Sequence, residues 1–282
     1  GVTMTRRPSF PARIESLAPA LGATKNKANN VHLTGAKAEK TLKTTPPEAA
    51  RPTSALTPLR DPGDFQRARA RLADQIAQQG THAPQVLQAL RAVERHRFVD
   101  SALVNQAYED TSLPIGLGQT ISKPSVVARM IDLLLGVAPE DEAVSRPPLG
   151  RVLEIGTGCG YQAAVLSHVA REVYSIERLR GLHEKARVNL RAFRLANVHL
   201  LLGDGMAGFP KGAPYAAIIA AASGDAMPAA WIEQLAVGGR IVAPTLTRDG
   251  KQALVVIDKT PHGLQQRILE AVHFVPLKSG VA

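Results

Sequence analysis

The strongest candidates for a functional site lie within residues 151–161, in the sequence R-V-L-E-I-G-T-G-C-G-Y. An apolar run leads into Gly156, Gly158 and Gly160, and glycines so close together let the backbone approach a ligand that a Cβ atom would block. A second apolar run ends at Glu177, an acidic side chain placed to bind a ribose. This combination predicts a binding site for a nucleoside cofactor.

The spacing of the glycines distinguishes between cofactors. A dinucleotide fingerprint has its third glycine three positions after the second, whereas here Gly160 follows Gly158 by two positions and a tyrosine occupies position 161. The turn, which includes Thr157, contains no Lys or Arg, and Glu154 precedes it. A carboxylate there repels phosphate but suits the ammonium and sulfonium charges of S-adenosylmethionine. These features favour a methyl-donor site, with a nicotinamide or flavin site and a purely structural turn as alternatives.

A third acidic position follows the next predicted strand, at Asp204 and Gly205. The aspartate can accept a hydrogen bond from an adenine amino group, or it can be a turn residue that tolerates an unusual backbone conformation. The residues alone leave both hypotheses open. The strand 215–221 runs into A-A-S-G-D and lacks the Asn/Asp-Pro-Pro-aromatic tetrad of amine-directed methyltransferases, so oxygen is the favoured methyl acceptor.

A parallel sheet is needed to bring these residues together. The alternation of strands and helices predicts an α/β fold with a doubly wound, mostly parallel, seven-stranded sheet and an antiparallel pair at one edge. Because such sheets bind ligands at the carboxyl ends of their strands, the three sites should converge on one crevice. The predicted strands are 151–156, 172–177, 197–202, 215–221, 239–245, 252–258 and 266–275, and the predicted helices are 160–170, 179–194 and 226–236.

The chain before the sheet divides into two parts by composition. Residues 61–135 show two helical patterns, a turn-rich loop at 108–124 and a third helix through Leu134, and so predict a helical cap with a functional loop. We expect this cap and the cofactor-binding sheet, 151–282, to form one methyltransferase domain, 61–282. Residues 1–60 hold seven prolines and ten Lys and Arg against three Glu. They predict a disordered, basic, Pro/Ala-rich tail that is a solvated linker or, alternatively, a weak nucleic-acid arm.

Charge and composition restrict the partners. The remaining 222 residues hold 24 basic and 21 acidic side chains, so the folded part has little attraction for a polyanion. We expect no stable nucleic-acid partner, no membrane span, no secretory signal, a cytoplasmic location and a monomer. The single cysteine, Cys159, excludes an internal disulfide, and the eight histidines lack metal-ligand spacing, so no metal is expected.

The substrate loop and the glycine turn together resemble the protein-L-isoaspartate O-methyltransferase family. The resembling segments cover most of 61–282: A-Y-E-D-T-S-L-P-I-G-L-G-Q-T-I-S-K-P at 107–124, V-L-E-I-G-T-G-C-G-Y-Q-A-A-V-L at 152–166, G-D-G at 203–205 and P-A-A-W-I-E-Q-L-A-V-G-G-R-I-V-A-P at 228–244. The resemblance implies a Rossmann-like class I fold with its last two strands exchanged. It also implies methyl transfer from S-adenosyl-L-methionine to the α-carboxylate of L-isoaspartyl residues in damaged proteins, followed by cyclisation to succinimide.

The resemblance assigns roles to particular positions. Ser122 matches the family's active-site serine, and Thr120 and Ile121 match the loop that lines the isoaspartyl site. We expect Ser122 to orient the acceptor, because a carboxylate with a pKa of about 4 needs no base, and also to cap the following helix. The expected cofactor positions are Glu154, Gly156, Thr157, Gly158, Gly160, Glu177, Asp204 and Gly205.

The chain departs from the family pattern at two places. Ala216 stands where the family has Asp, and Ser223-Gly224-Asp225 replaces Ala-Ala-Pro. Two other hypotheses stay open: an S-adenosylmethionine-dependent O-methyltransferase acting on RNA or a small acid, and an inert nucleoside-binding module.

Overall fold

A computed structural model describes residues 61–81, 83–136 and 148–282. The predicted tail at 1–60 and most of the predicted connection after the third helix lie outside these residues. The described helices are α1 (Pro62–Gln78), α2 (Pro84–Ala92), α3 (Pro124–Leu135), α4 (Tyr161–Leu166), α5 (Arg180–Arg191) and α6 (Ala229–Gln234). The described strands are β1 (Leu113–Gly116), β2 (Gln119–Ile121), β3 (Leu149–Ile155), β4 (Ala170–Glu177), β5 (Val198–Leu202), β6 (Tyr215–Ala220), β7 (Leu235–Leu246), β8 (Gln252–Thr260) and β9 (Gly263–Ala271).

The main sheet has seven strands in the order β5-β4-β3-β6-β7-β8-β9. The five strands from β5 to β7 are parallel, and β8 and β9 are added antiparallel in chain order. The structure therefore confirms the predicted doubly wound sheet, its antiparallel edge and the exchanged last strands. A hairpin of β1 and β2 forms a separate two-stranded sheet.

Both faces of the central strands β3, β4 and β6 are buried, as expected for parallel strands covered by helices, whereas the edge strand β9 is mostly exposed. Successive residues of a strand point to opposite faces. Val152 and Val173 belong to a core that also contains residues of α1 to α5. Leu153 and Ile176 belong to a second core that contains Trp231 of α6. The strands that carry the site are therefore fixed from both sides.

Several predicted boundaries are wrong. The helix predicted at 160–170 ends at Leu166, and turn residues 167–169 lead directly into β4 at Ala170. The helix predicted at 226–236 is limited to α6. The strand predicted at 266–275 is β9, which begins and ends earlier. The loop predicted at 108–124 contains the β1–β2 hairpin.

Residues 272–282, here called the C-terminal segment, leave the sheet and cross its carboxyl-end edge. Ser223 pairs with it through two backbone bonds, from its N to Val275 O at 2.8 Å and from Leu277 N to its O at 2.7 Å. The last residue, Ala282, donates to Arg178 O and accepts from Arg180 N, both at 2.8 Å. The segment therefore forms a wall above β4 and β6. Within the described ranges, no helix is both long and apolar enough to cross a membrane.

Candidate active site

One cavity of about 250 Å³ lies at the carboxyl ends of the parallel strands. The hairpin and residues just after it form one side, the glycine turn forms another, and the C-terminal segment forms a third. Eight of the residues predicted for the site line it: Thr120, Ile121, Ser122, Gly156, Thr157, Gly158, Glu177 and Gly205. The predicted convergence on one crevice is thus present in the fold.

The glycine turn is shaped by backbone conformations that favour glycine. Gly156 and Gly158 have φ values of 89° and 57°, which side chains with a Cβ rarely adopt. A Cβ on Gly158 would lie 3.3 Å from the Cδ1 atom of Ile115 in the hairpin. Gly160 differs, because its Cβ would point at Leu190 of α5, 3.0 Å from Cδ1. Two glycines therefore open the cavity, whereas the third allows α4 and α5 to pack closely.

Glu177 lies at the tip of β4 and is only 5% exposed. Its Oε2 accepts a hydrogen bond from Gly158 N and its Oε1 accepts one from Leu179 N, both at 2.9 Å. These bonds fix the carboxylate against the turn. Each carboxylate oxygen can accept a further bond, so Glu177 can also receive the hydroxyl groups of a ribose.

Glu154 does not line the cavity. Strand alternation places it on the same face as Val152, where it is 0% exposed and accepts a hydrogen bond from Ser175 Oγ. Burial raises the pKa of Glu154 to about 8, and its Oε1 makes no hydrogen bond. The side chain of Gln162 lies near Glu154 and partly offsets this rise in pKa, although the two side chains do not meet the geometric criteria of a hydrogen bond. Burial therefore favours the neutral form of this carboxyl, which is not the exposed anion expected from the sequence.

A polar chain nevertheless connects Glu154 to the cavity wall. The hydroxyl of Ser175, which donates to Glu154, lies 2.6 Å from the hydroxyl of Thr157. Thr157 lines the cavity, and so does Gln162. The amide atoms of Gln162 are buried and have no hydrogen-bond partner among the described residues. These two atoms are almost inaccessible to solvent, so a ligand reaches them only if the Gln162 side chain changes its rotamer.

Both carboxylate oxygens of Asp204 accept hydrogen bonds from backbone amides of the chain. Its Oδ1 accepts from Met206 N at 2.9 Å, and its Oδ2 accepts from Gly280 N of the C-terminal segment at 2.8 Å. The turn role considered for this residue is therefore observed. Gly205 lines the cavity, and its carbonyl accepts a bond from Trp231 Nε1 at 2.8 Å.

Ser122 is not the cap of the helix that follows it. The N-cap of α3 is Lys123, which makes no side-chain capping bond. Asp110 supplies the side-chain acceptor instead, because its Oδ1 accepts from Ser125 N at 2.9 Å. The expected capping role of Ser122 was therefore wrong. Its hydroxyl is left to serve the cavity that Ser122 lines.

The sequence reasoning missed three contributors. Val275 to Lys278 line the cavity although they belong to no strand or helix, so no periodic pattern could indicate them. Gln162 is hidden within the first turn of α4. Arg95 is 1% exposed although it stands in E-R-H-R-F, which is typical of a solvated surface.

The two departures from the family pattern lie at different places in the fold. Ala216 packs beside Gly150 away from the cavity, and Ser223 binds the C-terminal segment through its backbone.

Comparison with known proteins agrees with the resemblance. The sequence model of the protein-L-isoaspartate(D-aspartate) O-methyltransferase family matches residues 67–282. The chain belongs to this family. A protein-L-isoaspartate O-methyltransferase of Methylibium petroleiphilum is 58% identical over 219 residues, which are 77% of this chain and 79% of the relative. Another, of Leptothrix cholodnii, is 52% identical over 251 residues, 86% of this chain and 87% of the relative.

Solved structures of protein-L-isoaspartate O-methyltransferases share the fold. One matches with a TM-score of 0.66 and 28% identity over 76% of this chain and 67% of its own. Another, a Plasmodium falciparum protein described as putative, matches with a TM-score of 0.63 and 21% identity over 74% of this chain and 98% of its own. That second protein is in complex with S-adenosyl-L-homocysteine.

The chain's own residues fit an adenosyl sulfonium cofactor. The turn brings glycine backbone to the cavity, Glu177 can accept hydrogen bonds from a ribose, and Gln162 lines the wall with an amide that has no partner among the described residues. The glycine turn contains no lysine or arginine for a pyrophosphate. A methyl donor is therefore a better match than a dinucleotide.

Proposed function

We propose that this chain transfers a methyl group from S-adenosyl-L-methionine to the α-carboxylate of L-isoaspartyl residues in damaged proteins. The observation that carries this proposal is that Ser122 and the glycine turn line the same cavity. The product is a methyl ester, which the neighbouring backbone amide attacks to give a succinimide and methanol. Hydrolysis of that ring can return a normal aspartyl bond, so the reaction starts a repair.

When bound, the cofactor supplies a methyl group on a positively charged sulfur. Gly156, Gly158 and Glu177 would hold its nucleoside, and Gln162 would meet polar groups at its other end. Asp204 could still accept from an adenine amino group, because each carboxylate oxygen can accept more than one bond. The assignments of Gly156, Gly158, Glu177 and Gln162 rest on their positions in the cavity wall, whereas that of Asp204 rests on its chemistry and the family's motif.

The acceptor needs orientation more than activation. A carboxylate with an unperturbed pKa of about 4 is ionised at neutral pH and already nucleophilic. Alignment within a water-excluding site can contribute roughly 7 to 11 kcal/mol in favourable cases. Apolar side chains of the hairpin, Ile115, Leu117 and Ile121, form part of the wall and limit water. Ser122 would donate its hydroxyl hydrogen to one acceptor oxygen and leave the other oriented towards the methyl group.

Radiolabelled methyl transfer tests the function directly. The substrates are two peptides that differ only in an aspartyl or an L-isoaspartyl linkage, with an RNA of similar charge as a third acceptor. Base-labile label is expected in the isoaspartyl peptide alone. Equal labelling of both peptides, or labelling of RNA alone, would refute the proposed substrate, and cofactor binding without transfer to any acceptor would support the inert module.

Two serines test the assigned role of Ser122. Replacing Ser122 with Ala should lower kcat for the isoaspartyl peptide by roughly 10- to 100-fold, because one orienting bond is lost. Affinity for S-adenosyl-L-homocysteine and thermal stability should change little. Ser125→Ala, in the first turn of α3, is the matched control and should retain wild-type kcat. If both variants kept full kcat, Ser122 would have no role in the reaction.

The domain division, monomeric state, cytoplasmic location and lack of stable nucleic-acid or membrane partners stay predictions from the sequence.

A further inference from the structure

Arg95 is a buried cation beneath the substrate loop, and the reaction described above does not use it. It begins a 3₁₀ turn, Arg95–Phe98, and is 1% exposed. Its Nη2 donates to Thr111 O at 3.2 Å and to Ser122 O at 2.9 Å. Thr111 precedes β1 and Ser122 follows β2. One nitrogen of Arg95 therefore binds both ends of the hairpin that forms the acceptor side of the cavity.

The same guanidinium also contacts the cofactor side. Its Cζ atom lies 4.7 Å from the centroid of the Tyr161 ring, a cation–π distance. Tyr161 is the first residue of α4, directly after the glycine turn, and it lines the cavity. Arg95 thus contacts both the carbonyl groups at the two ends of the hairpin and Tyr161, the first residue of α4.

This arrangement is unfavourable for the arginine. Nε and Nη1 are buried and make no hydrogen bond within the described part of the chain. Burial lowers the pKa of Arg95, although the nearby Tyr161 hydroxyl partly offsets the effect. Asp110 is close enough to favour the charge, but its Oδ1 accepts from Ser125 N. A buried cation with bare donors destabilises a fold, so its presence calls for a local reason.

We propose that Arg95 is the positioning residue of the methyl-acceptor site, because it fixes the backbone of Ser122 relative to Tyr161 and the glycine turn. It does not line the cavity, so it acts through Ser122. An acceptor carboxylate beside Ser122 would add to the negative charge that Asp110 already places near Arg95. This inference rests on the proposed function for its effect on catalysis, whereas the hairpin clamp itself can be measured without catalysis.

The kinetic test compares Arg95→Met and Arg95→Lys with Arg97→Met. Arg97 lies in the same turn, is about half exposed and pairs with Glu94, so its replacement is a matched control. With active sites counted by S-adenosyl-L-homocysteine binding, kcat per site for the isoaspartyl peptide should fall at least tenfold in Arg95→Met. It should fall less in Arg95→Lys and not in Arg97→Met. The dissociation constant for S-adenosyl-L-homocysteine should stay within threefold of wild type.

Chemical rescue separates positioning from a general loss of folding. Methylguanidinium should restore part of kcat in Arg95→Ala but none in Ser122→Ala. A merely structural role would reduce the number of binding sites and leave kcat per site unchanged, and that result would overturn the proposal. If Arg95→Met did not fold, the same criterion applied to Arg95→Lys would decide.

Hydrogen exchange tests the clamp independently of the reaction. Amides in residues 113–121 should exchange at least tenfold faster in Arg95→Lys than in wild type, whereas amides of β3 and β4 should be unchanged. Unchanged exchange in the hairpin would refute the clamp. If the hairpin loosened but wild-type protein did not methylate the isoaspartyl peptide, the proposed function would fail while the clamp stood.

Discussion

Gly280 donates its backbone N–H to Oδ2 of Asp204 at 2.8 Å, although 76 positions separate the two residues. The C-terminal segment is thereby tied to the turn after β5, next to Gly205 of the cavity wall. Arg178 Nε also donates to Gly280 O at 3.0 Å. The C-terminal segment and the Gly205 side of the cavity are therefore linked by hydrogen bonds.

Removal of residues 279–282 should accelerate cofactor release. The truncation deletes the bonds of Gly280 and Ala282, so the wall formed by Val275 to Lys278 keeps, among the described residues, only its hydrogen bonds to Ser223. We expect the dissociation rate of S-adenosyl-L-homocysteine, measured by stopped flow, to rise about tenfold, as expected for the loss of one or two hydrogen bonds. A shorter truncation of 281–282 keeps Gly280 and should give a smaller increase. Identical release rates in all three proteins would contradict a role of this segment in retention.

Glu177→Ala should weaken cofactor binding. The carboxylate is held by two backbone amides and lines the cavity, and hydrogen bonds to a charged group contribute about 1.5–3 kcal/mol. Affinity for S-adenosyl-L-homocysteine, measured by calorimetry, should fall roughly 10- to 100-fold. Glu172→Ala is the control, because Glu172 lies on the same strand but pairs with His199 away from the cavity. Equal affinities of both variants would remove Glu177 from the site.

The sequence predicts the main sheet well because its central strands are buried on both faces. Short, continuous apolar runs such as V-L-E-I and Y-A-A-I-I-A are typical of strands that are buried on both faces. The hairpin was missed because strands of four and three residues, beginning with Leu113 and Gln119, are too short to show alternation. Leu117 at its tip also adopts a φ of 51°, which no local signal predicts.

The limits at the site have a similar physical origin. The sequence predicted both Glu154 and Glu177 as cofactor-binding residues, because each lies near the end of a predicted strand. Whether such a side chain faces the cavity or the core depends on the face of the strand to which it points. Glu154 shares its face with Val152 and is buried under α4, whereas Glu177 lies at a strand tip. Arg95 and the C-terminal segment contribute through tertiary contacts. No periodic sequence pattern marks such contacts, so they can be identified only in the folded structure.

Trp231 should report cofactor binding. It is the chain's single tryptophan, it is 1% exposed, and its Nε1 donates to Gly205 O at 2.8 Å. Because Gly205 lines the cavity, titration with S-adenosyl-L-homocysteine should change the fluorescence of Trp231, and the dissociation constant from this titration should equal that from calorimetry.

The same tryptophan should also contribute to stability. Trp231→Phe should lower the free energy of unfolding by about 1–2 kcal/mol, since Gly205 O loses its donor. Unchanged stability in urea would show that this bond contributes nothing.

Glu154 should make stability fall as pH rises. Its pKa is about 8 in the folded protein, against an ordinary value of 4.5 for a solvated glutamate. Below the lower value both the folded and the unfolded state are protonated, and between the two values only the unfolded chain ionises. The free energy of unfolding therefore decreases by up to about 1.4 kcal/mol per pH unit through this window, and levels off above about pH 8.

Glu154→Gln isolates this effect, because an amide of similar shape does not titrate and can still accept from Ser175. Urea unfolding of both proteins should be measured at pH 5, 6, 7 and 8. Between pH 5 and pH 8 the free energy of unfolding of the wild type should decrease by at least about 2 kcal/mol relative to that of the variant, which is less than the maximum slope allows. Other titrating groups cancel in this difference. A difference that stayed constant from pH 5 to pH 8 would mean that Glu154 is ionised in the folded protein as well as in the unfolded chain. That result would restore the expectation from the sequence, in which this carboxylate faces the positive charges of the methyl donor.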